Sequence, residues 1–253
     1  MNDTSSDKLF AARIEDMYRR CDKCFCPVYS AFLDEGQAAR AEQICSHHNG
    51  ELLDMLWGGY ENAQRKMLCI YNEYSADFIK DEFPIKCLTF RFRKEDKLTH
   101  RDFLGSFMAL RLKREVIGDI IIAEGVAQAI VTDVAARLIC TSVSKIGRVG
   151  VKISDSEPFM LEIRQEFQDI SGTVASMRLD CVTGLAAHVS RENAARLIRT
   201  EKVTVNHFSA QSVSQELQEG DILSVRGFGR FLLSEIKGNT KKGRIHIILR
   251  KYK

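Results

Sequence analysis

The sequence predicts an α+β protein assembled from small units, and three observations predict it. Segments with helical period and segments with strand period alternate along all 253 residues. The middle of the chain reads strand, helix, strand, strand, helix, strand. The last third reads two short helices feeding short strands. Hydrophobic residues make up 45%, enough for packed cores and too many for a disordered chain. We divide the chain into 1–80, 81–165 and 176–253.

In 1–80, Lys8 to Arg20 has the spacing of an amphipathic helix, with Leu9, Ile14, Met17 and Tyr18 among charges. Val28–Leu33 predicts a strand. Asp34 caps a helix that buries Ala38, Ala41, Ile44 and Cys45, and Asn49-Gly50 stops it. Leu52–Leu56 and Lys66–Tyr71 predict strands on either side of the turn-rich Gly58-Gly59-Tyr60-Glu61-Asn62. Together these make a small α+β unit.

Pro84 opens the second unit. Cys87–Arg93 alternates, with Leu88, Phe90 and Phe92 on one face and Thr89, Arg91 and Arg93 on the other. Thr99 caps a helix over His100–Leu112. Ile117–Ala123 and Ala127–Thr132 form a hairpin around Glu124-Gly125, Asp133 starts a helix over Val134–Ile146, and Gly147 ends it. Val149, Val151 and Ile153 close the unit. This order is that of a ferredoxin-like domain, four strands with two helices on one face. Its first strand turns arginines outward and keeps Phe90 and Phe92 for the core, so scaffolding is the better reading. Arg91, Arg93, Arg111, Lys113 and Arg114 form a secondary basic patch. Phe159–Ser176 reads as an extended connector.

In the last unit Leu179, Val182, Leu185, Ala186 and Val189 recur at helical spacing, and Ser190 is a good N-cap for a second helix. Ala194, Leu197 and Ile198 of that helix face inward, while Arg196 and Arg199 share the opposite face. Outward guanidinium forks suit phosphate oxygens. Val203–Val205 is a strand leading to the turn residues Asn206-His207, and Gly220-Asp221 turns into a strand ending at Arg226. Strands at Phe231–Ile236 and Arg244–Arg250 flank a loop holding Gly238-Asn239, Lys241, Lys242 and Gly243.

Charge separates the units. Residues 176–253 hold 14 Lys and Arg against 7 Asp and Glu, a net of +7, whereas 1–175 hold 23 against 27, a net of −4. A basic third on an acidic body points to a polyanion partner for that third. Arg178, Arg191, Arg196, Arg199, Lys202, Arg226 and Arg230 are the candidates to hold phosphates. Asn206 and His207 are candidates to meet sugar or base, and Ser190, at the start of the helix that presents the arginines, is a further candidate RNA contact. The acidic body offers a surface for a protein partner. No apolar run is long enough to span a membrane, and the polar, acidic start lacks a signal-peptide pattern, so a cytoplasmic protein is expected. No cofactor motif is present.

Cys21-x2-Cys24-x-Cys26, with Cys45 and His47 or His48 further on, raises a zinc hypothesis. The second half lacks a paired spacing, and Cys24 and Cys26 would face opposite ways on a strand. Reduced packing thiols are the stronger reading, and we assign no metal ligand.

Several motifs in the last third coincide in order and spacing: Arg178-Leu179-Asp180, Ser190-Arg191, Ala194, Leu197-Ile198, Val203-x-Val205-Asn206 and Gly220-Asp221. Over residues 178–230 they resemble the alpha-L RNA-binding domain of the ribosomal small-subunit S-four type. The whole chain, including Gly58-Gly59-Tyr60-Glu61 and Arg226-Gly227-Phe228-Gly229-Arg230-Phe231, resembles the YlmH family. That resemblance implies a bacterial protein binding ribosomal RNA or tRNA, from a gene neighbourhood linked to cell division. Similar stand-alone modules of a heat-shock family act on large subunits blocked with peptidyl-tRNA, which extends the expectation to ribosome rescue or quality control.

The expected function is therefore non-enzymatic RNA binding on the ribosome, with the large subunit as partner. The first alternative is a protein-interaction factor in cell division. The second is an RNA-modifying enzyme, because Arg178-Leu179-Asp180-x-x-Thr183-Gly184-Leu185 resembles the catalytic stretch of pseudouridine synthases. Their Thr-Ser-Gly is missing its Ser here, and too few residues remain for a catalytic domain, so Asp180 reads as a structural acceptor.

Overall fold

A computed structural model describes residues 3–48, 50–161, 166–210, 212–239 and 243–252. The chain divides into two compact units, 1–163 and 164–253. It is a mixed α+β protein with several antiparallel sheets. No helix among the described residues is long and apolar enough to cross a membrane.

The first unit begins with α1 (Asp3–Cys24), β1 (Val28–Leu33), α2 (Glu35–Cys45), β2 (Leu53–Trp57) and β3 (Lys66–Tyr71), the strands pairing in the order β1-β3-β2. Asp34 caps α2 through a reciprocal box: its carboxylate accepts from Gln37 N at 2.8 Å, and Gln37 Oε1 accepts from Asp34 N at 3.0 Å. The predicted stop at Asn49 falls outside the described residues. Alternation gives this sheet two apolar faces. One packs Val28, Leu33, Leu68 and Ile70 against Ile14, Cys21, Ala41 and Cys45 of the helices. The other packs Phe32, Met67, Cys69 and Tyr71 against Ile130 of the next sheet.

That next sheet consists of β4 (Ile85–Arg91), β5 (Ile117–Ala123), β6 (Val126–Thr132) and β9 (Lys152–Ser154), in the order β5-β6-β4-β9. Between them lie α3 (His100–Ala109), α4 (Asp133–Ser142) and a two-strand ladder, β7 (Lys145–Ile146) with β8 (Val149–Gly150). Phe103 and Phe107 of α3 and Ala135, Ala136 and Ile139 of α4 share one core with Leu88, Phe90, Ala127 and Ala129, so both helices cover the same face.

The opposite face of this sheet is closed. Buried Gln128 donates to Thr89 Oγ1 at 3.0 Å and to Pro158 O at 2.8 Å, and its Oε1 accepts from Met160 N and Leu161 N at 2.8 and 3.0 Å. These bonds tie the segment after β9 across the sheet, where Phe159 stacks on Tyr60 at 4.0 Å. Each amide atom is satisfied, as a buried amide requires. Asp119 is held in the same way, accepting from Tyr60 Oη at 2.5 Å and from Gln64 N at 2.7 Å.

Several predicted boundaries and placements differ. Strand β4 ends at Arg91, two residues before its predicted end, and α3 ends at Ala109, three before. The last helix stops at Ser142, because β-branched Val143 is extended and Ile146 pairs with Val149 around Gly147 at φ +57°. Cys24 and Cys26 do not lie on a strand: Cys24 ends α1, and Phe25 at φ 52° folds the chain so that the two sulfurs stand 2.9 Å apart. Cys21 and Cys45 are buried in the core. Among the described residues no group of three or more His, Cys, Asp or Glu is placed to hold a metal ion.

The second unit holds a six-stranded antiparallel sheet in the order β10-β15-β14-β13-β11-β12. Its strands are β10 (Phe167–Val174), β11 (Val203–Val205), β12 (Phe208–Ser209), β13 (Ile222–Val225), β14 (Gly229–Asn239) and β15 (Ile245–Tyr252). The predicted connector thus contains an eight-residue strand, β10. Its partner, β15, lies over seventy residues on by register, a pairing of Val174 with Ile245 that no local pattern signals. Helices α5 (Leu179–Ala186) and α6 (Arg191–Arg199) cover one face, burying Leu179, Val182, Ala186 and Ile198 against Leu223, Phe231, Leu233, Ile247 and Leu249. Gly172 makes room for α5: a Cβ there would stand 2.5 Å from Leu185 Cδ1. Lys241 and Lys242 lie outside the described residues.

Candidate nucleic-acid interface

The centre of the helix face is one carboxylate. Asp180, in the first turn of α5, has a side chain only 4% exposed. Arg178 Nε and Nη2 donate to its two oxygens at 3.2 and 3.1 Å, and Arg191 Nε donates to Oδ2 at 2.8 Å. Burial pushes the Asp180 carboxyl up, but the bonds from Arg178 and Arg191 outweigh it and hold the group at about 2. Asp180 therefore stays ionised and fixes two guanidiniums whose remaining N–H groups point elsewhere.

Local structure explains why these residues meet. The segment 213–216, a turn at Val213-Ser214 followed by a bridge of Glu216 to Arg178, runs along the start of α5, with Leu179 N donating to Gln215 O at 2.8 Å and Asp180 N to Val213 O at 3.2 Å. The first-turn amides of α5 are thus used internally and are not an anion site. Ser190 caps α6 as predicted, its hydroxyl accepting from Asn193 N at 3.2 Å, and Arg191 follows as the first helical residue. Arg178, Asp180, Arg191, Glu192, Ala195, Arg199, Val213 and Ser214 line an open cleft of about 490 Å³.

The predicted residues do not form one surface. Arg178, Arg191 and Arg199 converge on the cleft. Arg196 is exposed on α6 outside it, in the last turn beside Arg199, where cations also favour the helix dipole. Lys202 and Arg226 make an exposed pair of neighbours, joined by Arg226 N donating to Lys202 O at 2.8 Å.

Asn206 and His207, at φ 49° and 71°, form the two-residue turn between β11 and β12. The Asn206 amide is engaged at both ends, donating to Asp221 Oδ1 at 2.8 Å and accepting from Ile222 N at 2.9 Å. The side chain latches two turns while remaining exposed. Arg230 stands apart from the cleft. It stands over the Tyr252 ring at 4.7 Å, on the sheet face away from α5 and α6.

Glu192 in the cleft and the 213–214 wall went unrecognised in the sequence. Glu192 follows Arg191 directly, so its placement was legible in principle; the wall depends on a loop returning to α5 and left no local signal.

The fold and the cleft together define a class: α+β proteins that present buttressed guanidiniums on a helix pair beside a small antiparallel sheet. The family model described as "Putative RNA-binding domain in YlmH" matches residues 79–158. The chain is 33% identical over 202 residues to a Bacillus subtilis protein named ribosome-associated protein quality control protein P2, covering 78% of this chain and 77% of that one. The chain belongs to the YlmH family. A solved structure titled cell division protein ylmH from Streptococcus pneumoniae is similar in fold, with a TM-score of 0.50 at 16% identity, covering 60% of this chain and 92% of that one. The stretch matched by the family model spans β4 to β9 and contains none of the arginines of α5 and α6.

Proposed function

We propose that this protein is a non-enzymatic RNA-binding factor of ribosome-associated quality control, acting in the cytoplasm on ribosomal RNA or tRNA of the large subunit. The observation that carries the reading is the Arg178–Asp180–Arg191 cluster at the mouth of the α5–α6 cleft, in a chain similar along most of its length to a protein named for that process. Fixed, charge-assisted forks at a basic surface suit a phosphate backbone. The strand order β5-β6-β4-β9 supports a ferredoxin-like middle domain, and the helix pair against β11–β13 supports an alpha-L module of S-four type.

Asp180 is bound by two arginines, which supports a positioning role over a catalytic one. The middle domain contributes by its rim. Its sheet faces are both covered, but Arg111 and Lys113 after α3 are exposed. Arg91 is paired with Glu157 at 2.6 Å.

Co-sedimentation with ribosomal subunits tests the proposal. The full chain is expected to travel with large subunits, and the double variant Arg196→Glu, Arg199→Glu to be released at moderate salt while remaining folded. Unchanged sedimentation of that variant would sink the assignment of the helix face.

A further inference from the structure

The sheet of the second unit has a second face, and its chemistry is unlike that of the helix side. Register places Phe167 opposite Tyr252, Asp169 opposite Arg250, Ser171 opposite Ile248 and Thr173 opposite His246. All eight point away from the core formed by Ile247, Leu249, Val174 and the two helices, and none is buried. Phe167 and Tyr252 meet edge to face at 5.0 Å and 63°. The Arg230 guanidinium lies 4.7 Å from the centre of the Tyr252 ring, and that of Arg250 lies 5.9 Å from the centre of Phe167.

We infer that this face is a second RNA-contact surface, a stacking platform for unpaired nucleotides built from Arg230, Tyr252, Phe167 and Arg250. The inference rests on the proposed RNA-binding function and extends it to the opposite side of the sheet. A cross-strand aromatic pair alone would serve to hold β10 against β15. Here each ring also backs a guanidinium. A guanidinium laid on a ring offers its outer plane to a base. Arg250 pairs with Asp169 at 3.6 Å, with side chains 47% and 65% exposed, a pair loose enough for a phosphate to replace the carboxylate. Duplex RNA hides the faces of its bases, so rings and planar cations on an open sheet suit single strands. The cleft on the helix side, with its isolated forks, suits the backbone of structured RNA. One module therefore has separate surfaces for the paired and unpaired parts of the same molecule.

Binding of the full chain to an RNA hairpin, with and without a single-stranded tail, tests this by fluorescence anisotropy. The wild type is expected to prefer the tailed hairpin. Tyr252→Leu and Arg230→Gln are each expected to weaken tailed binding about tenfold and to leave the blunt hairpin unchanged. Tyr252→Phe, which keeps the ring, is expected to retain the preference. Equal affinity of the wild type for both hairpins, the result for a face that docks protein, would overturn the inference. So would a tail preference surviving in both variants. Failure of the underlying reading looks different: blunt binding would then be indifferent to Arg196→Glu with Arg199→Glu.

Discussion

Asp180 poses an electrostatic paradox that a single substitution resolves. A carboxylate at a surface meant for phosphate repels the ligand, so its removal should tighten binding by simple charge. Its geometry argues the opposite, because Arg178 and Arg191 are held by it at 3.2, 3.1 and 2.8 Å. Without that anchor two long side chains regain rotamer freedom, which costs about 1 kcal/mol each on binding. Asp180→Asn is therefore expected to weaken binding of structured RNA several-fold despite the added positive charge. Tighter binding in anisotropy titrations would show that the carboxylate only repels. The same group sets an acid limit. Its folded value of about 2 lies below the ordinary Asp value of about 3.9, so its stabilisation is complete above the unfolded value and is lost as pH falls through the folded one. Acid titration followed by circular dichroism is expected to show Asp180→Asn losing the part of wild-type stability that disappears between about pH 4 and pH 2.

Among the elements, β10 decides how tightly α5 can sit. Gly172 faces the helix, and a Cβ there would meet Leu185 at 2.5 Å. Leu185 packs against the core that also holds Val182 and Leu249. Gly172→Val is expected to destabilise the protein by about 1–3 kcal/mol, read as a lower midpoint in urea. An unchanged midpoint would mean that the helix yields without cost.

The sequence made α5, α6 and the Ser190 cap legible because cap residues and helical spacing are local. The outward side of Arg196 and Arg199 followed from the same spacing. β10 was not legible, since Phe167 to Val174 is mostly polar on its outer face and pairs with a strand at the chain's far end. For the same reason the sequence pattern groups Arg230 with the helix arginines. Only the β14–β15 register shows that it faces the other way. The turn at Asn206 is legible locally, whereas its bond to Asp221 depends on the fold.

At the scale of the whole molecule, two regions claim RNA contact. The family model covers 79–158, and the arginine cleft lies in 164–253. Salt dependence can apportion them. Each phosphate contact contributes about one unit to the slope of log affinity against log salt. Arg111 and Lys113 are the exposed cations after α3, and Arg111 holds a left-handed φ of 61° at the helix end, a conformation more often left to glycine. If both regions touch one RNA, Arg196→Gln with Arg199→Gln lowers the slope by about two, and Arg111→Gln with Lys113→Gln does so again. The four-fold variant should then lose about four units, because sites in separate units add when they share no partners. A slope that falls only for the α6 pair assigns binding to the second unit and leaves β4 to β9 as its scaffold. Measured on the intact chain with one structured RNA, the slopes separate a bipartite grip from a single contact surface.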